Sequence, residues 1–85
     1  MDKRNRVQRG KDAERVVMDP VLLEAFADLE QQYTNEWKSS KVDDMVNREQ
    51  AYARVTALTD LKRQLQSYVD DAKIANKQLE RDQKL

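Results

Sequence analysis

Eighty-five residues allow one domain at most, near the size at which a single core is barely sufficient. The chain is 38% charged, sixteen basic residues against sixteen acidic, and its one Gly, one Pro and 6% aromatics favour long helices over a sheet. It has no Cys and no His, which excludes disulfides, thiol chemistry, Cys/His zinc sites and nucleophile–His catalysis; no cofactor is expected.

The N-terminal stretch MDKRNRVQRGK lacks the apolar core of a signal peptide, and no run approaches the roughly 18 residues of a membrane span. A cytoplasmic protein without a membrane partner is expected. Residues 1–10 have no period and few apolar groups, and read as a disordered basic arm ending at Gly10. Lys3, Arg4, Arg6, Arg9 and Lys11 make this arm a candidate contact for phosphate backbones through counterion release. No aromatic is interleaved for base stacking, so a solvated terminus is the simpler reading.

Residues 11–85 are expected to form a single helical domain. A short helix over 11–18 presents Val16 and Val17 and ends at an Asp19-Pro20 corner. There Asp19 can cap the next helix, Pro20 suits its first position, and Met18 and Leu23 occupy hydrophobic-staple positions. The second helix, 20–38, carries Leu22, Phe26, Leu29, Tyr33 and Trp37 at steps that place them on one face. Trp37 and Tyr33 sit toward its end with Tyr52 across from them. They are candidate partner-binding anchors, since Trp and Tyr are enriched at interface hot spots, although packing at the tip also explains them.

A turn over 39–43 follows, with Ser40 and Asp43 as rival caps, and then a long helix over 44–82. So short a connection makes antiparallel neighbours, with Trp37 near Met45, Tyr33 near Glu49 and Phe26 near Val55. The helices are unequal, roughly 30 Å against nearly 60 Å at about 1.5 Å per residue. The seam Leu58, Leu61, Leu65, Tyr68, Ala72, Ala75, Leu79 alternates steps of three and four. The second helix is used up near Leu61, and the short helix can reach Leu65, Tyr68 and Val69. On that reading nothing is left for Ala72, Ala75 and Leu79. Leu65, Tyr68, Ala72, Ala75 and Leu79 are therefore the expected self-association surface of a homo-oligomer, a dimer by default.

The adjacent carboxylates Asp43-Asp44 and Asp70-Asp71 point about 100° apart on a helix and do not converge. They read as caps and a solvated face, with no metal site and no catalytic set. The fold expected is all-α: an antiparallel helical hairpin with coiled-coil-like packing, a short kinked N-terminal helix and a long second helix.

The run from Asp19 to about Ala75 resembles small helical-hairpin proteins encoded by tailed bacteriophages and prophages among their head and DNA-packaging genes. The similar features are Asp19-Pro20, Trp37-Lys38, Arg48-Glu49 and Val69-Asp70-Asp71-Ala72-Lys73. The resemblance implies a setting, host cytoplasm or virion, with another phage structural protein or a host protein as partner; it supplies no functional residues. The expected function is that of a non-enzymatic interaction protein in particle assembly or genome packaging. The alternatives are a nucleic-acid-binding accessory using the arm, and a small inhibitor of a host protein whose acidic face (Asp28, Glu30, Glu36) imitates nucleic acid.

Overall fold

A computed structural model describes residues 2–83; Met1 and residues 84–85, the outer ends of the expected arm and domain, lie outside the described residues. The fold is all-helical, with α1 Lys3–Val17, α2 Pro20–Ser39 and α3 Met45–Gln83 and no strand among the described residues. The chain forms two compact units, one of Met1–Asp19 with Lys62–Leu85 and one of Pro20–Leu61. No described helix is long and apolar enough to cross a membrane.

The first unit corrects the expectation of a disordered arm, because residues 3–10 are helical and α1 starts eight residues earlier than the expected helix. Asp2 caps it. Its backbone is extended and its carboxylate accepts the Asn5 N–H at 2.8 Å, satisfying a donor that has no partner within the helix. Gly10 does not terminate α1 and has no positive φ. Its role is steric: a Cβ at position 10 would lie 2.8 Å from the Tyr68 carbonyl oxygen and 3.4 Å from the Ala72 Cα. A mid-helix Gly costs about 1 kcal/mol relative to Ala, and here that cost is offset by close backbone approach. Gly10 and Ala13 are the buried positions of α1, and Val69 and Ala75 are buried in the part of α3 that belongs to the same unit. At the other end the Met18 N–H donates to the Glu14 carbonyl at 3.1 Å, and Pro20 opens α2, where its missing donor costs nothing.

The second unit buries Phe26, Ala51 and Leu58. Ser40 does not cap α3; its hydroxyl donates to the Trp37 carbonyl at 2.6 Å and closes α2. The cap of α3 is Asp44 rather than Asp43. One Asp44 carboxylate oxygen accepts the Asn47 N–H at 3.3 Å, and the other accepts the Asn47 side-chain amide at 2.6 Å. The Arg48 guanidinium lies 5.7 Å from the Trp37 ring centroid and that of Arg54 lies 5.9 Å from the Tyr33 ring. The arginines over these rings lie three positions past Met45 and five past Glu49 in the sequence.

No large side chain of the described residues is fully buried. Replacing Gly10 by Ala raises stability in an ordinary helix, but here it should lower it. Overpacking of this kind costs about 1–3 kcal/mol, and urea denaturation followed by circular dichroism should give an earlier transition than wild type.

Candidate functional site

α1 is fastened to the last third of α3 by a fork of charges. Asp71 accepts Arg6 Nε at 2.9 Å, Arg6 Nη2 at 2.6 Å and Arg9 Nη2 at 3.2 Å. The two bonds from Arg6 are the bidentate geometry that a planar guanidinium offers a carboxylate. Hydrogen bonding from Arg6 holds the Asp71 carboxyl below its usual 3.8, with the nearby charges of Arg6 and Arg9 adding to the effect. The same hydrogen bond raises Arg6 further above its ordinary value. Arg9 also lies over the Tyr68 ring, 4.2 Å from its centroid, a cation–π arrangement. Its Nε is buried without a hydrogen-bond partner among the described residues. Farther along, Lys3 Nζ meets Asp82 Oδ2 at 2.9 Å.

These contacts involve several of the expected site residues. Of the candidate nucleic-acid residues, Lys3, Arg6 and Arg9 are engaged by acids of the same chain. Arg4 and Lys11 make no ion pair among the described residues. Of the expected self-association residues, Tyr68 and Ala72 face Gly10 and Ala75 is fully buried. Leu79 borders Lys3 and Arg6, and Leu65 is half-buried. The premise that nothing in the chain reaches Ala72 and Leu79 therefore does not hold, since α1 is long enough to reach both. Asp71, expected on a solvated face, is the anchor of the unit. Asp70 takes the Gln66 side-chain amide at 3.0 Å.

Sequence reasoning missed Asp71, Asp82 and Gly10. The available signal was Arg6 and Arg9, one helical turn apart, together with the small residues Gly10 and Ala13 at the same spacing. That pattern describes a basic helix with a shallow face.

The other feature lies at the α2–α3 connection. Trp37 is 40% exposed, Val42 85%, Met45 62% and Val46 65%. Tyr33 is half-buried under Arg54, which pairs with Glu36 at 3.2 Å. No group of three or more acidic residues among the described ones is placed to hold a metal.

A carboxyl whose folded-state pKa is depressed contributes stability above its unfolded value and loses it as pH falls through the folded value. The α1 attachment should therefore persist from neutral pH down to about the usual carboxylate range and weaken only below it. Amide hydrogen exchange of residues 5–16 followed against pH checks this. Asp71→Asn should show fast exchange in that helix already at neutral pH.

Comparison with protein-family models, with curated proteins and with solved structures finds no match for this chain.

Proposed function

We propose that the chain is a non-enzymatic helical interaction protein that presents the tip of an antiparallel hairpin, formed by α2 and the first part of α3, to a protein partner. The setting is the one its resemblance to phage head and packaging proteins implies: particle assembly or genome packaging, in the host cytoplasm or the virion. The observation that carries this reading is the concentration of exposed apolar side chains at Trp37, Val42, Met45 and Val46. Fully burying a side chain of this size contributes about 1.5–3 kcal/mol, and the part of that gain belonging to the surface still exposed is open to a partner. Trp and Met are also favoured in interface cores. The caps at Ser40 and Asp44 hold both sides of the tip, which lowers the entropy lost on binding.

Two observations weigh against the alternatives. Three of the five basic residues assigned to nucleic acid already face Asp71 and Asp82. On the acidic face proposed for an inhibitor, Glu36 is paired with Arg54.

The test is a photo-reactive residue in place of Val42, activated in cells that assemble the particle. A protein adduct is expected, and Trp37→Ala with Val46→Asp should cut its yield at least tenfold while leaving helicity unchanged. Adducts that ignore these substitutions would sink the reading. For nucleic acid, two free cations predict a log–log salt slope near −2. Fluorescence anisotropy with duplex DNA between 50 and 200 mM salt should give weak binding with about that slope; a slope near −4 or steeper would restore the arm as a DNA contact.

A further inference from the structure

The face of α3 that receives α1 is built for one kind of helix. It offers carboxylates at Asp71 and Asp82 to basic side chains. Beside Asp71 the surface is so shallow that only a residue without a Cβ fits against Ala72 and the Tyr68 carbonyl. Gly10 is the chain's one glycine, and it stands at the required position between Arg9 and Ala13. By shape and by charge, the helix that fits this face is α1.

The hold on α1 is mostly polar. Only Gly10 and Ala13 of α1 are buried, Val16 is 42% exposed, and the Arg6 and Asp71 side chains retain 25% and 30% of their exposure. Partly exposed pairs of this kind are weakened by salt. A helix held this way can leave its face without dismantling a large apolar core. Everything lost on leaving is regained on an identical face.

We propose that the α1-binding face of α3 also takes α1 of a second copy, so that two chains exchange their N-terminal helices reciprocally. The contacts of the closed and exchanged forms are the same. The balance between them rests on the connection and on mass action, which is the general basis of domain swapping. Two residues, Met18 and Asp19, separate α1 from α2, and Pro20 follows with its φ restricted. Short, stiff connections favour exchange over closure. Self-association thus runs through the seam, with a basic helix rather than a second seam as occupant. The inference is independent of the tip reading.

The chain has no cysteine, so thiols can be placed at will. Lys3 and Asp82 side chains touch at 2.9 Å. An affinity-tagged Lys3→Cys chain is mixed with an untagged Asp82→Cys chain, unfolded, refolded together at high concentration and oxidised. Exchange predicts a tagged–untagged disulfide dimer at least tenfold above a control pair of Lys3→Cys and Val42→Cys. A second pair makes exchange obligatory. One chain carries Lys3→Cys, Arg6→Glu and Arg9→Glu; the other carries Asp71→Arg and Asp82→Cys. Neither chain matches its own face, and each α1 matches the face of the other. Mixing should yield a cross-linked heterodimer of twice the chain mass by sedimentation equilibrium, with helicity higher than in either chain alone. Cross-linking at control level in the first pair, or two separate monomers in the second, overturns the proposal. So does a heterodimer in the second pair whose thiols at positions 3 and 82 do not cross-link on oxidation.

Discussion

Asp71 takes two guanidinium groups from α1, and it can do so only because Gly10 lets the two backbones meet. The contact at Ala72 and the Tyr68 carbonyl sets the separation of the helices. That separation brings Arg6 and Arg9 within hydrogen-bond reach of a carboxylate on the facing turn. Sterics and electrostatics are therefore not independent contributions in this unit. A bulkier residue at position 10 moves the charges apart, and a neutral residue at 71 leaves Arg9 over Tyr68 with one hydrogen-bond acceptor fewer. Neighbours coupled in this way are the case in which single-site effects fail to add.

The second unit solves its packing differently. Its buried positions are Phe26, Ala51 and Leu58, and Trp37 and Tyr33 near the connection each have an arginine on one side. Arg48 covers part of Trp37 and Arg54 part of Tyr33, while Glu36 fixes Arg54. Long cationic side chains can shield apolar rings while keeping their charged ends wet. The rings are thus held in defined positions and remain accessible.

The elements that could be read from sequence are those whose signals are local. Pro20 marks the start of α2 because a missing N–H matters least there, and α3 reads as one helix because its apolar period runs uninterrupted. The start of α1 was obscured by Gly10, which by local rules reads as a helix end. Its reason for being inside a helix is Ala72, sixty-two positions away in the chain. Asp43 and Asp44 are equivalent caps on paper, and only the path of the turn after Ser40 selects between them. The interface face of α3 was legible from Tyr68, Ala72 and Ala75, but its occupant was not. Identifying it required the extra eight residues of α1, and those depended on the same misread glycine. Three of the five arm residues read as a phosphate contact, Lys3, Arg6 and Arg9, pair with carboxylates of α3. Charge composition cannot tell an internal carboxylate from an external phosphate.

The shallowness of the α1–α3 contact also has a bearing on how this sequence can drift. Gly10 stands where no Cβ has room against Ala72 and Ala75 is fully buried, so mutation at these positions is tightly restricted. The charged positions around them admit compensated reversals, acid for base and base for acid. Lineages descending from this chain should therefore keep their smallest residues and shuffle their charges. Over long divergence a pattern of tiny side chains at helical spacing will outlast any similarity that could be found by matching letters.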